Sequence, residues 1–143
     1  MKKVIFISIL SIFGFKFLLM SPANPEVKVK LDLIKKEIVS RGYNPRWFII
    51  SEKRQSWYNR LLPNSAKDSY HLKGKAVDIY VIDINGDGVF NNADIKIFDS
   101  CNKHVESGHP ELLGAFGTYT TKGYLSSHMI HIDTRGKSKR YNK

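Results

Sequence analysis

Residues 76–104 constrain the fold more than any other stretch of the chain. Ala76 to Ile82 is rich in β-branched and aromatic residues and reads as a buried strand. Asp83 to Asp94 is dense in Asn, Asp and Gly and reads as a turn-rich loop. Ile95 to His104 reads as a helix, with Ile95, Phe98 and Val105 on its apolar side. A buried strand needs partner strands and a covering layer, so the remaining segments must supply both.

Candidates for those layers are present. Asn24 and Pro25 form a helix start, with Asn as cap and Pro at the first helical position. Val27, Leu31, Ile34 and Ile38 recur at helical spacing until Gly42. Trp47 to Ser51 reads as a short strand, and Gln55 to Leu62 as a helix stopped by Pro63. Asn64 to Tyr70 is polar and loop-like, and Leu112 to Tyr119 and Met129 to Asp133 read as two more strands. The Lys/Arg-rich stretch Lys137 to Lys143 reads as a solvated end. Helices mostly early and strands mostly late predict an α+β domain, a small antiparallel sheet flanked by helices.

The 143 residues suit one domain, expected to be a monomer spanning residues 24–143. A formal net charge of +10 favours a polyanionic partner, with nucleic acid, membrane surface and cell wall all eligible. No RNA-binding repeat or zinc-finger spacing is present, so nucleic acid is not the expected partner. Cys101 is the only cysteine. A disulfide framework and a cysteine-based zinc site are thereby excluded, and Cys101 reads as a small buried residue in a helix.

The N-terminus predicts export to the periplasm or the cell exterior. Lys2 and Lys3 precede an apolar run from Val4 to Phe15, interrupted by Lys16 and resumed from Phe17 to Met20. Small residues and prolines follow, so residues 1–23 read as a secretory signal peptide. An uncleaved membrane anchor is the competing reading, although the run falls short of the roughly 20 apolar residues of a span.

Any metal site must use His, Asp, Glu or Asn. The loop Asp83 to Asp94 fits the twelve-residue calcium scheme of the EF-hand. Asp83, Asn85 and Asp87 stand at positions one, three and five, and Gly88 at the turn position. Val89 would offer its carbonyl, Asn91 would act through water, and Asp94 closes the loop. A plain Asn-Gly or Asp-Gly hairpin turn is the alternative. The closing aspartate and the helix after it make the loop resemble those of dockerin domains, although a strand enters it here. Three carboxylates predict weak binding, in the extracellular range of about 10⁻⁴ to 10⁻³ M.

A second ligand set is spread along the chain. Ser69-x-His71-x-x-Gly74-x-Ala76-x-Asp78 is followed by a late His131-x-Asp133. Ser51-Glu52-Lys53-Arg54 and Tyr58-Asn59 lie upstream, and Gly117 and Tyr119 precede the last motif. In this order the segments resemble the zinc D-Ala-D-Ala carboxypeptidase and dipeptidase family, over roughly residues 45–136. The resemblance implies the fold shared with hedgehog signalling domains, a zinc ion on His71, Asp78 and His131, and peptidoglycan stem peptides as substrate. Two histidines and a carboxylate are the count a hydrolytic zinc site takes, with one position open. By themselves, without the motif, His71 and His131 read as unrelated surface or core histidines.

The other roles carry paired readings. Arg54 matches the family arginine that holds substrate charge, or is a surface residue beside Glu52. Ser69 binds peptide, or caps its loop. Asp133 orients a metal ligand, or is a surface acid near Arg135. For the general base the family uses positions where this chain has His128 and Met129. His128 serves only if the strand begins after it or bulges there. A glycine of the family pattern is replaced by Glu52. These departures keep two non-enzymatic alternatives open, an inactive wall-binding module and a calcium-dependent interaction module.

Overall fold

The computed structural model describes residues 20–62, 65–121 and 127–143. The apolar leader through residue 19 and the helix stop at Pro63 lie outside them. No helix among the described residues is long and apolar enough to cross a membrane.

Helix α1 spans Pro25–Ser40 and buries Val27, Leu31, Ile34 and Ile38, the stripe its sequence spacing predicts. Gly42, at φ +87°, ends it. The Gly42 amide donates to Val39 O and the Tyr43 amide to Ile38 O, the paired bonds of a Schellman motif. Asn24 holds the cap position, but its side chain caps nothing and donates instead to Lys73 O. Helix α2 spans Ser56–Leu61 and α3 spans Asn92–Gly108, longer at both ends than the 95–104 expected.

The strands are β1 (Met20–Ser21), β2 (Arg46–Ser51), β3 (Lys53–Arg54), β4 (Ala76–Asp83), β5 (Ala115–Thr118), β6 (Met129–Asp133) and β7 (Lys139–Asn142). Strands β1 and β3 make a small antiparallel pair, so residues 20–23 pack on the domain, with Ala23 buried. The main sheet has the order β2-β4-β6-β5-β7. Its first three pairings are antiparallel and β5–β7 is parallel, which corrects the expectation of a wholly antiparallel sheet. Stretch 137–143 is therefore not a solvated end. It turns at Gly136, φ +81°, and crosses to the far edge of β5. Its alternating charges misled because an edge strand tolerates lysine and arginine on its open side.

Val77, Ile79, Val81, Ile130 and Ile132 point to one face and pack on α1 and α3 through Ile34, Ile38, Phe98 and Cys101. By strand alternation Asp78, His131 and Asp133 occupy the opposite face. Helices α1 and α3 thus cover one side of the sheet, and the polar residues of interest lie on the other.

An ion network stitches the layers together. Lys30, on α1, is fully buried and donates from Nζ to Glu106 Oε1 at 2.7 Å and to Asp133 O at 2.9 Å. Glu106 also accepts from Arg140 of β7 and from the Gly114 amide. Gly114 tolerates no Cβ, which would lie 1.8 Å from Asp133 O. Two cations share one buried carboxylate, so removing Glu106 strands charge inside the protein.

Candidate metal centre

Cross-strand register assembles the site. Asp78 on β4 lies directly opposite His131 on β6. His71 arrives from the loop before β4, in a turn closed by a hydrogen bond from the Gly74 amide to His71 O. Gly74 sits at φ +69°, and a Cβ there would meet Asn24 Oδ1 at 2.6 Å. The positive φ favours glycine there, and a side chain would also push the Asn24 side-chain amide aside.

His71, Asp78 and His131 are buried, and one ligand atom from each lies within 4.8 Å of the others. His71 Nδ1 is 2.7 Å from Glu52 O, so it carries the proton and donates. That leaves Nε2 with its lone pair toward the cluster. Nε2 is 3.1 Å from Asp78 Oδ2, yet out of hydrogen-bonding alignment, and it is a buried atom with no hydrogen-bond partner. His131 Nδ1 faces Asp78 Oδ1 at 2.7 Å, and its Nε2 faces Asp133 Oδ2 at 3.2 Å. Each imidazole is thus held from behind by an oxygen and presents its other nitrogen to the cluster, as in protein metal sites. Two imidazole nitrogens and a carboxylate, one nitrogen buried and unpartnered, fit a divalent cation. The His71–Asp78–His131 group is able to bind a metal ion.

Burial would raise the Asp78 pKa, but His71 and His131 outweigh it and hold the carboxyl far below its usual range. Burial would lower His131; hydrogen bonds to Asp133 and Asp78 overcome this and raise it. Asp133, also depressed against its burial, is fully enclosed and accepts from His131, Arg135 and the Ala115 amide. Its two sequence readings merge: it backs a ligand and pairs with Arg135, and it is not a surface acid.

Arg54 pairs with Asp78 Oδ2 at 2.6 Å and with Ser51, not with the side chain of Glu52, which meets Lys28 and the Ala23 amide. Ser69 Oγ accepts from the His71 amide. Both residues border a cavity of about 830 Å³ that contains the cluster. His128 is not brought to it. Its ring stacks on Tyr80 and lies tilted against Phe90, with Nδ1 3.0 Å from Val81 O. His109 is exposed beside Glu111, beyond the end of α3.

The 83–94 loop behaves differently. Asp83 accepts from the Gly86 and Gly88 amides and pairs with Arg46. Asp94 accepts from Ile84, Asn85 and Asn91, and with Asn91 forms a capping box at the start of α3. Gly88, at φ +86°, makes the turn that position six requires.

Sequence reading missed the cavity wall made by β7, with Lys139, Tyr141 and Lys143 alternating toward it. The period-two spacing of those residues was the available signal. Burial, with Tyr119 and the nearby carboxylates, pushes the Tyr141 phenol well up, so it stays protonated. Compared with known proteins, the chain matches no family model, and no curated protein or solved structure is significantly similar to it.

Proposed function

We propose that this chain is an exported zinc peptidase of the hedgehog/D-Ala-D-Ala peptidase fold that trims or cleaves peptidoglycan stem peptides. The observation that carries the reading is the buried His71–Asp78–His131 cluster, with His71 Nε2 unpartnered, in a cavity bordered by Arg54 and Ser69. A zinc ion held there would activate water and polarise a peptide carbonyl. Glu52 O and Asp133 keep both imidazoles in the required tautomers. Arg54 already engages a carboxylate, and its planar fork suits the terminal carboxylate of a peptide. Lys139 and Lys143 add positive charge along the cavity, which favours an anionic wall fragment.

In this reading His128 packs an aromatic stack and takes no part in proton transfer. Asp68 is the other described carboxylate at the cavity besides Asp78, and is the group left to accept a proton. The reading also assigns one calcium ion to the 83–94 loop, with Asp83, Asn85, Asp87, Val89, Asn91 and Asp94 as the oxygen set. Its place between β4 and α3 suits a structural role.

Elemental analysis of protein purified without chelator, followed by digestion of purified peptidoglycan and mass spectrometry, tests the proposal. About one zinc per chain with released D-alanine or split cross-links is expected. His128→Ala should keep turnover within about twofold, against the 10²- to 10⁴-fold loss of a general base. Zinc binding with wall capture and no cleavage would instead make the chain a binding module.

A further inference from the structure

The sheet register carries one row of residues past the metal ligands. Asp78 lies opposite His131, His131 opposite Gly117, and Gly117 opposite Tyr141. The row therefore runs from two cluster residues across a glycine to a phenol on β7. Gly117 has no side chain, and its place is taken by the Tyr141 ring. A Cβ at Gly117 would lie 2.2 Å from Tyr141 Cζ and 2.5 Å from its hydroxyl. The ring thus folds back along the row toward His131, with ring centroids 6.1 Å apart. Tyr119, also on the cavity, brings its hydroxyl to 3.4 Å from that of Tyr141. Only one proton can lie between two phenol oxygens. Either hydroxyl can donate in that contact, and a hydroxyl rotates freely enough for Tyr141 to donate to an oxygen bound at the cluster instead.

We infer that Tyr141 is a functional residue of this centre, donating a hydrogen bond to a carboxylate or carbonyl oxygen bound at the His71–Asp78–His131 cluster. The inference rests on the reading of that cluster as a metal centre, not on peptidase activity. Gly117 is required because any side chain there displaces the ring.

Calorimetric titration of the zinc-loaded full chain with acetohydroxamate, a small oxyanion probe, tests this without any turnover. Tyr141→Phe keeps the ring and its packing, so zinc content and melting temperature should be unchanged. Loss of a hydrogen bond to a charged oxygen should weaken the probe roughly 10- to 100-fold. Gly117→Ala should weaken it in the same direction as Tyr141→Phe. Equal affinity in parent and Tyr141→Phe at equal zinc occupancy would overturn the role of Tyr141 and leave the metal centre standing. A parent chain that takes up no zinc, or that binds zinc but not the probe, would overturn the inference. Only the first of these also removes the metal centre.

Discussion

The two cation sites expected from the sequence, the His71–Asp78–His131 cluster and the 83–94 loop, are built on opposite plans. In the cluster, donors from two strands and a loop face one another, and a buried nitrogen is left with no hydrogen-bond partner. In the loop, the acids are spent on the chain's own amides: Asp83 on Gly86 and Gly88, Asp94 on Ile84, Asn85 and Asn91. A buried polar atom without a partner costs on the order of 1–3 kcal/mol, so the cluster gains by taking a cation. The loop's acids already have hydrogen-bond partners, so an ion there has less unmet polarity to satisfy. Metal should therefore dominate the first site and only adjust the second.

The largest effect should come from breaking the cluster. Asp78→Ala removes its one carboxylate, and zinc content measured by elemental analysis should fall from about one per chain to near zero. The calcium response should survive, since the loop shares no residue with the cluster. If zinc persists in Asp78→Ala, the cluster is not the site.

Next in size is the frame behind the cluster. Glu106→Ala leaves Lys30 buried without its carboxylate and leaves Arg140 paired with Asp99 alone, so urea unfolding should show a loss of about 3–5 kcal/mol. Lys30 also holds Asp133 O, so zinc affinity should drop with stability while the loop keeps its response. The same residue gives a pH signature. Burial would raise the Glu106 pKa, but Lys30 and Arg140 outweigh it, so the folded value lies below the ordinary 4.5. The folded state then holds fewer protons than the unfolded one in this window. Its contribution is complete above pH 4.5 and fades as pH falls through the depressed folded value. Glu106→Gln should flatten that acid limb, and an unchanged limb would place the acid sensitivity elsewhere.

Smaller effects separate the roles within the loop. Asp94→Ala removes a helix cap as well as a candidate calcium ligand, so it should cost roughly 1–2 kcal/mol even in chelator. Asp87→Ala leaves the capping box itself in place and removes the acceptor of the Asn91 side-chain amide and of the Val89 amide. It should cost less in chelator than Asp94→Ala and abolish the calcium gain, about 1.4 kcal/mol at 10 mM ion for a millimolar site. Thermal melts with and without calcium check both. An Asp87→Ala chain that still responds to calcium would remove Asp87 from the ligand set.

Much of this was legible locally. The α1 stripe, the Gly42 stop, the strand at 129–133 and the burial of Cys101 follow from spacing and residue type, because each is decided within a few residues. Both ends of α3 and the β7 strand were not. The early start of α3 depends on the Asn91–Asp94 box, which the calcium reading had spent on an ion. Strand β7 depends on Glu106 and Asp99 accepting Arg140 from across the fold, a contact no local pattern contains.

The same division runs through the site. The sequence by itself determined which side chains are able to hold a metal, and it put the 83–94 loop between a strand and a helix, because donor type and turn chemistry are local properties. Only the tertiary structure decided that Asp78, His131, Gly117 and Tyr141 share one row, that Asp133 backs His131, and that His128 stands apart. Those outcomes turn on strand register and order. A slip of one residue would send every side chain of a strand to the other face, and register is set by the burial of Ile130, Ile132 and Phe116 against distant helices.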